Sequence, residues 1–255
     1  MEKKFTIISN WKMYFDVNEE LNFSTINYDN LIKLSNPQNR IILCPSFLTL
    51  SSIKELFKDT NIFIGAQNCS KHSKGSFTGQ ILIESLNKLS IKYCLIGHSE
   101  TRQEFKETDN DITQKFSKLI DFGISPILCI GETLEMYTKN KTLELLTEQL
   151  HKIFKVIENS YSKLNHLEIL IAYEPVWSIG SGIIPELNHL ENIFSWLYKN
   201  FSNLKNKVNF TLLYGGSVNA DNIKQLKNIS HINGSLIGKS SLDFQEFEKI
   251  VKYDI

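Results

Sequence analysis

The chain has 255 residues, 42% of them hydrophobic, and its 28 basic residues balance its 28 acidic ones. This length suits one or two domains, or a single α/β barrel of around 250 residues. The absence of net charge argues against general attraction to nucleic acid or to a membrane, so we expect neither as a partner. A local site for an anionic ligand is still compatible with this composition, because it needs only a few oriented donors.

The cysteines Cys44, Cys69, Cys94 and Cys129 lack the paired spacing of a metal site. At least Cys44 and Cys129 end apolar, strand-like runs, so we predict four buried free thiols in a reducing compartment and no bound metal. The first 13 residues are too few and too polar for a signal peptide, and no apolar run approaches the 18 residues of a membrane span. We therefore expect a cytoplasmic protein.

The first half of the chain alternates strand-like apolar runs with amphipathic segments. Lys12 and His98 each come directly after one of these runs. Predicted strands cover residues 5–9, 40–44, 62–66 and 93–97, and predicted helices cover 21–34, the segment around Ile53 and Phe57, and 107–116.

The second half continues the same alternation. Its clearest helix is marked by apolar residues at helical spacing, namely Leu143, Leu146, Leu150, Ile153 and Ile157. A further helix is marked by Ile193 and Leu197, and the last helix covers residues 243–252. Predicted strands cover residues 126–130, 168–173, 208–214 and 236–237.

Eight strand-then-helix units in this length predict a closed (β/α)8 barrel of the α/β class, as a single domain spanning residues 1–255. Five chemistry-bearing residues fall at the carboxyl ends of predicted strands: Lys12, His98, Glu174, Ser217 and Gly238. The carboxyl ends of barrel strands share one face, so we expect these residues to lie around a common site.

The stretch from Ala172 to Gly182 is the centre of this prediction. It ends a buried strand, places Glu174 directly before Pro175, and continues into residues 176–182, hereafter the lid. A general base needs a rigid mount and shelter from water, and a mobile apolar segment with glycines can provide the shelter. Taken alone, the stretch is equally compatible with a strand end, a glycine-rich turn and a surface glutamate.

Lys12 and His98 also have ordinary structural explanations. Lys12 can be a lysine whose stem lies along apolar surface. His98 can be a hydrogen-bonded structural histidine. However, Ser99 is a candidate helix N-cap, so His98 would lie at the start of a helix, where the positive potential disfavours a charged imidazole.

Residues 69–80, from Cys69 to Gln80, form a polar connection that is long for a compact α/β unit. Disorder is one explanation for its composition. Phe77 and Thr78, between Gly75 and Gly79, favour instead a structured projection held by a partner subunit.

Six segments of the chain form a recognisable set of motifs: NWKM at 10–13, GAQN at 65–68, GHSE at 97–100, CIGE at 129–132, residues 172–182, and YGGSV at 214–218. In the order and spacing of these motifs, over its whole length, the chain resembles the triosephosphate isomerase family. The combination of AYEPVW with GHSE is highly specific, whereas GGS or GKS alone is weak.

This resemblance implies interconversion of dihydroxyacetone phosphate and glyceraldehyde 3-phosphate, without a metal or organic cofactor. Glu174 is then the base and His98 the neutral electrophile, as in the general description of this enzyme. Lys12 favours the anionic substrate, Asn10 holds its oxygens, and Glu100 orients Lys12.

The resemblance places the substrate phosphate on backbone donors of Gly180, Ser217, Gly238 and Lys239. The segment GKSS at 238–241 lacks the upstream glycine of a nucleotide-binding P-loop, so we reject a nucleotide site. The family also implies a homodimer, formed here through the loop from Cys69 to Gln80.

Four features depart from the family pattern. Lys239 follows Gly238 where a second glycine is usual, so its side chain must point away from the ligand. Thr101 replaces an arginine and Gln80 a glutamate, a pair that meets across the family's dimer interface. Ile183 and Ile184 form a connection to Pro185 that is two residues shorter than usual, which affects the lid hinge.

Two other functions are compatible with parts of the sequence. An aldolase-type barrel would use Lys12 as a Schiff base, which borohydride trapping detects, but it leaves Glu174 and His98 without a purpose. A catalytically silent barrel would serve only in binding, but it has no chemical need for Asn10, Lys12, His98 and Glu174 together.

Overall fold

The computed structural model describes residues 4–204 and 208–252. Residues 1–3, 205–207 and 253–255 of the predicted domain lie outside the described residues. Within the described part, parallel strands pair in chain order and β8 returns to β1, which closes a barrel. The strands are β1 (Phe5–Asn10), β2 (Asn39–Cys44), β3 (Phe63–Ala66), β4 (Tyr93–Ile96), β5 (Ser125–Ile130), β6 (Glu168–Tyr173), β7 (Asn209–Tyr214) and β8 (Gly234–Ile237).

The predicted α/β barrel is confirmed; the sixth strand has its predicted bounds, and the bounds of the others differ from prediction by one or two residues. The fourth strand ends at Ile96 because Gly97 has a φ of +68°, a left-handed conformation that suits glycine and leaves the strand. The eighth strand begins two residues earlier than predicted, at Gly234. A Cβ at Gly234 would lie 2.1 Å from the carbonyl oxygen of Thr6, so only glycine lets β8 approach β1 here.

Helices surround the barrel. In the described residues they are α1 (Val17–Ile26), α2 (Tyr28–Leu34), α3 (Leu50–Leu56), α4 (Ile83–Lys88), α5 (Ser99–Glu104), α6 (Asp109–Asp121), α7 (Leu134–Thr138), α8 (Thr142–Asn159), α9 (Tyr161–Leu164), α10 (Leu187–Ser202), α11 (Ile223–Lys227) and α12 (Phe244–Lys252). Short 3-10 turns cover Val176–Ser178 and Lys239–Ser241. The helices predicted around 143–157, around 193–197 and at 243–252 are confirmed as α8, α10 and α12.

Two helix predictions were wrong in their bounds. The segment predicted as one helix over residues 21–34 contains α1 and α2, separated at Asn27. The helix predicted to start near Ser99 and to carry residues 107–116 is two helices, α5 and α6, and the N-cap of α5 is His98 and not Ser99. In both cases a capping box fixes the true start: Asp16 accepts from the N–H of Glu19 before α1, and Thr108 caps α6 in the same way.

The core has two layers. A small cluster of side chains fills the barrel interior, and a larger one packs the outer faces of the strands against the helices. All four cysteines are buried and free, as predicted. Burial raises the pKa of Cys44 above its ordinary range, so this thiol stays neutral.

Candidate active site

Glu174 stands at the carboxyl end of β6 on a rigid backbone. Its N–H donates to the carbonyl of Ile130 at 2.7 Å, and the N–H of Gly215 donates to the carbonyl of Tyr173 at 2.8 Å. These bonds join the end of β6 to the ends of β5 and β7 on either side. The side chain of Glu174 is 2% exposed. The predicted base is therefore held between two neighbouring strands and away from bulk water.

Two glycines make room for this glutamate. A Cβ at Gly131 would lie 1.7 Å from the carbonyl oxygen of Glu174, and one at Gly215 would lie 2.9 Å from its Cγ. Neither distance is compatible with a side chain, so any larger residue at either position must displace the glutamate.

The two carboxylate oxygens of Glu174 have different surroundings. Oε2 accepts a hydrogen bond from the backbone N–H of Ser99 at 2.9 Å. Oε1 lies 3.1 Å from Nε2 of His98, but it makes no aligned hydrogen bond within the described residues. Since buried polar atoms are nearly always paired, Oε1 is an unusual atom with a lone pair available to accept a proton.

His98 occupies the N-cap of α5, where its ring is held in one tautomer. Nδ1 accepts the backbone N–H of Glu100 at 3.3 Å, which requires a lone pair on Nδ1 and therefore a neutral ring with its proton on Nε2. The carboxylate of Glu100 also lies 3.6 Å from Nδ1. The ring thus presents an N–H donor from Nε2 on the side of Glu174.

Lys12 follows β1 in a left-handed conformation, with a φ of +52° that is uncommon for a residue with a side chain. Its Nζ lies 2.6 Å from Oε1 of Glu100, and its backbone N–H donates to Oδ1 of Asn10 at 3.1 Å. The amide of Gln67 donates to the carbonyl of Lys12 at 2.8 Å. A Cβ at Gly238 would lie 3.3 Å from Cε of Lys12. The lysine is therefore fixed by its neighbours on several sides.

The predicted site residues line one cavity of about 380 Å³ at the carboxyl ends of the strands. This volume lies in the range of small-ligand pockets. Its lining includes Asn10, Lys12, His98, Glu100, Glu174, Gly180, Ser217, Gly238 and Lys239. The structure brings together every residue that the sequence placed in the site.

One end of this cavity carries backbone donors. The N–H groups of Gly180 and Lys239 make no hydrogen bond within the described part of the chain. The N–H of Ser217 instead donates to the hydroxyl of Ser178 at 3.3 Å. Backbone N–H groups with free protons in a concave site bind oxyanions such as phosphate.

The lid lies close to the loop that follows β7. The N–H of Gly182 donates to the hydroxyl of Ser217 at 3.1 Å. Gly180 and Gly182 have φ values of +69° and +78°, and no other atom lies within 4 Å of a Cβ built at either position. Glycine is needed here for backbone conformation and not for space, because residues with a side chain rarely adopt these angles.

A second buried carboxylate holds the first turn of the lid. Oε1 of Glu132 accepts the indole N–H of Trp177 at 3.2 Å and the hydroxyl of Tyr173 at 3.0 Å. Oε2 of Glu132 is buried without a partner among the described residues. Burial raises the pKa of Glu132 to about 7, against the hydrogen bonds from Trp177 and Tyr173, which lower it.

Sequence reasoning missed several residues around the site. Gln67 was seen only within a motif, and Ser178 only as part of an apolar segment. Cys129 was predicted only as a buried thiol, yet it lies near the base: burial first, and Glu174 second, raise the pKa of this thiol well above its usual range. No sequence signal marks any of these contacts, because each partner is distant along the chain.

Two features of the described residues concern other kinds of site. No group of three or more His, Cys, Asp or Glu side chains is arranged there to hold a metal ion. The helices in the same part of the chain are too short or too polar to span a membrane.

Comparison with known proteins agrees with this geometry. The family model described as triosephosphate isomerase matches residues 5–254. The triosephosphate isomerase of Thermodesulfovibrio yellowstonii is 38% identical over 99% of this chain and 100% of its own length. The enzymes of the same name from Clostridium tetani and Chlamydia felis are 36% and 35% identical, each over 98% of this chain and over 97% and 98% of their own lengths. By fold, site geometry and these matches, the chain belongs to the triosephosphate isomerase family.

Proposed function

We propose that this chain interconverts dihydroxyacetone phosphate and D-glyceraldehyde 3-phosphate through an enediolate intermediate, as a step of glycolysis and gluconeogenesis. The observation that carries the proposal is the environment of Glu174. One oxygen of this buried carboxylate is fixed by the N–H of Ser99, while the other has no aligned donor and lies 3.1 Å from Nε2 of His98. A proton acceptor held in this way suits abstraction of a proton from carbon.

Glu174 takes the proton from the carbon beside the substrate carbonyl and returns it to the neighbouring carbon. The electron pair of the broken C–H bond moves into the enediolate, whose oxygen becomes negative. The N–H of His98 polarises that carbonyl, and the ring then shuttles a proton between the two substrate oxygens. A neutral imidazole suits this task because its acidity is matched to that of the enediol.

Lys12 and Asn10 stabilise the negative charge that develops on the substrate oxygens, and Glu100 holds Lys12 in position. The contact between Lys12 and Glu100 also weighs against an aldolase-type mechanism. A Schiff base requires an amine that is free to attack a carbonyl, whereas Nζ of Lys12 is held 2.6 Å from a carboxylate oxygen of Glu100.

The phosphate of the substrate binds at the end of the cavity that carries backbone donors. Free N–H groups at Gly180 and Lys239 support this placement, together with Ser217 and Gly238 on the same wall. Binding at this end would place the reacting carbons beside Glu174 and His98, which both line the cavity.

The experiment is an isomerisation assay of the wild-type chain beside Glu174→Gln. We expect the substitution to lower kcat by about 10³-fold or more, because it removes the acceptor used in the transition state. Affinity for inorganic phosphate should change little, since the phosphate contacts lie elsewhere. Glu168→Gln, at the other end of β6, is the matched control and should keep nearly full activity. Activity of Glu174→Gln within about tenfold of wild type would refute the assignment.

We also propose that the chain is a homodimer through the loop from Cys69 to Gln80. Exposed apolar side chains follow four successive strands on one side of the barrel: Met13, Leu48, Phe77 and Phe105. The ring of Phe77 stacks on His72 at 3.8 Å, beside a groove of about 540 Å³ that also includes Gln80 and Thr101. A second copy of the same loop would fill this groove.

Sedimentation velocity at micromolar concentration tests the dimer. Phe77→Glu should shift the protein toward monomer, because it places a charge in the apolar contact. Leu89→Glu is the matched control, since Leu89 is 42% exposed, as is Phe77, but lies after α4. With Gln80 and Thr101 uncharged, dimerisation should depend only weakly on salt. A wild-type monomer with full activity would contradict the proposal.

We also propose a cytoplasmic location for this chain. Its four free thiols suit a reducing compartment.

A further inference from the structure

Ser178 ends the 3-10 turn of the lid, and its side chain is fully buried. Its Oγ has neighbours from three different segments. It lies 2.6 Å from the carbonyl oxygen of Ile183, 3.0 Å from the hydroxyl of Tyr214, and 3.3 Å from the backbone nitrogen of Ser217. One hydroxyl therefore contacts the residue just beyond the lid, the end of β7 and the loop after β7.

The chemistry of these neighbours fixes the direction of each hydrogen bond. A serine hydroxyl has one proton to donate and two lone pairs to accept with. The carbonyl of Ile183 can only accept and the N–H of Ser217 can only donate, so Ser178 donates to the first and accepts from the second. Tyr214 then donates into the remaining lone pair. Burial raises the pKa of Tyr214, which keeps its hydroxyl protonated as this requires.

The surrounding backbone is shaped to permit this arrangement. A Cβ at Gly216 would lie 2.2 Å from the hydroxyl oxygen of Tyr214 and 2.8 Å from Oγ of Ser178. Only glycine at this position lets the two hydroxyls meet. The same region of the lid also makes a contact of its own with the loop, from Gly182 to the hydroxyl of Ser217.

We propose that Ser178 is a positioning residue that holds the lid closed over the cavity, by tying its two ends together and to the end of β7. The connection from Ile183 to Pro185 is short, and its apolar packing begins only at Ile184, so packing does not fix the exposed Ile183 next to the lid. The hydrogen bond from Ser178 to the carbonyl of Ile183 supplies the missing attachment. This inference rests on the proposed function, because a closed lid matters only if a reactive intermediate forms beneath it.

The intermediate has a side reaction that reports on the lid. In the enediolate, the bond between carbon and the phosphate oxygen can break, and phosphate leaves with the bonding electron pair. The remaining enol then takes up a proton on carbon to become methylglyoxal. Solvent access and mobility of the phosphate favour this elimination, whereas a sealed lid suppresses it. The ratio of methylglyoxal to isomerised product therefore measures closure in a way that general stability does not.

The test compares Ser178→Ala with wild type in a coupled isomerisation assay and in a methylglyoxal assay. We expect the methylglyoxal fraction to rise about fivefold or more, as losing a hydrogen bond of about 1 kcal/mol implies. Ser178→Thr keeps a hydroxyl and should restore much of the wild-type ratio. Ser24→Ala is the matched control, because Ser24 is also fully buried and bonds the carbonyl of Glu20 in the outer helix α1.

The outcomes separate cleanly. A folded Ser178→Ala with the wild-type methylglyoxal fraction would overturn the inference, as would an equal rise in Ser24→Ala. If Ser178→Ala does not fold, Tyr214→Phe decides in its place: it removes one donor to Ser178 and should raise the fraction by a smaller factor. An unchanged fraction in Tyr214→Phe would then overturn the inference. Failure of the proposed function looks different, since wild type itself would show no isomerisation.

Discussion

Strand β6 carries a glutamate at each end, and the two differ in how completely they are bonded. Glu168 begins the strand, where Oε2 lies 2.5 Å from the guanidinium of Arg40 and Oε1 accepts from Thr211. Glu174 follows the strand directly, and one of its oxygens makes no aligned hydrogen bond among the described residues. The same strand thus holds a carboxylate with both oxygens paired and one that is left incomplete.

The surroundings of the two ends reinforce the difference. Arg40 also donates to Thr6 at 2.8 Å and lies 3.4 Å from the hydroxyl of Tyr93, so the amino end is a closed polar network. At the carboxyl end, Glu174 faces a neutral histidine and an open cavity. Complete pairing stabilises a fold, whereas an unpaired oxygen beside a cavity remains available to substrate. Burial alone therefore does not distinguish a carboxylate that is fully paired within the fold from one that is open to a ligand.

Shortening Glu174 or Glu168 by one methylene should give the largest difference in activity between the two ends of β6. Glu174→Asp keeps the charge but withdraws it by more than 1 Å, and we expect kcat to fall about 10²-fold or more. Glu168→Asp should leave kcat within about twofold, because it lies at the opposite end of the strand. Steady-state kinetics of the two variants measure this contrast, and comparable losses in both would remove it.

Among the described residues, Glu132, like Glu174, has one bonded and one unbonded oxygen, but it does not line the cavity. Its pKa is raised from the usual 4.5 to about 7, so between these values the unfolded chain loses a proton that the folded chain keeps. Below pH 4.5 this carboxyl is protonated in both states, so it does not make stability depend on pH. As the pH rises from 4.5 to 7, the free energy of unfolding falls progressively, by about 3 kcal/mol in all.

Glu132→Gln keeps an acceptor for Trp177 and Tyr173 but cannot ionise. Denaturant unfolding at several pH values measures the difference in free energy of unfolding between the variant and wild type. We expect this difference to shift in favour of the variant by about 3 kcal/mol between pH 4.5 and 7. The gain should then level off at higher pH. A difference between the two proteins that does not change with pH would contradict this account.

Breaking the paired end should affect stability and spare activity. Arg40 and Glu168 are only 18% and 21% exposed, so Glu168→Gln or Arg40→Met leaves a poorly solvated charge without its partner. We expect each to lower the free energy of unfolding by about 2 kcal/mol. The double variant should lose less than the sum of the two. Equilibrium unfolding tests this, and strictly additive losses would mean that the pair contributes no coupling.

The smallest expected effect concerns charge around the cavity. Lys12 pairs with Glu100 and Glu174 faces neutral His98, so Lys239 is the charged lining residue with no ion pair among the described residues. Without it the cavity would be net negative toward a dianionic substrate. Lys239→Met should raise KM about twofold to fivefold and weaken the salt dependence of kcat/KM. Lys155→Met, on the exposed face of α8, is the control, and equal effects in both would contradict a local role.

Much of this molecule could be predicted from the sequence. The barrel follows from eight alternating units, and Glu174, His98 and Lys12 could be found because each directly follows a strand. The break at Asn27 and the short helices α4 and α11 were missed because their apolar patterns are too short to show a period. The free oxygen of Glu174 and the contacts of Ser178 with Tyr214 and Ser217 could not be predicted, since they depend on distances between segments far apart in the chain.

The left-handed backbone of Lys12 has a further consequence for how this protein tolerates change. A residue with a side chain in that region is strained by about 1 kcal/mol or more, and glycine or asparagine would relieve it. Selection for thermal stability alone would therefore favour replacing Lys12, to which we assign a role in stabilising charge on the substrate. A library of variants screened by heat resistance should enrich small residues at position 12, whereas one screened by growth on the reaction should keep lysine. At position 12, thermal stability and the proposed catalytic role therefore favour different residues.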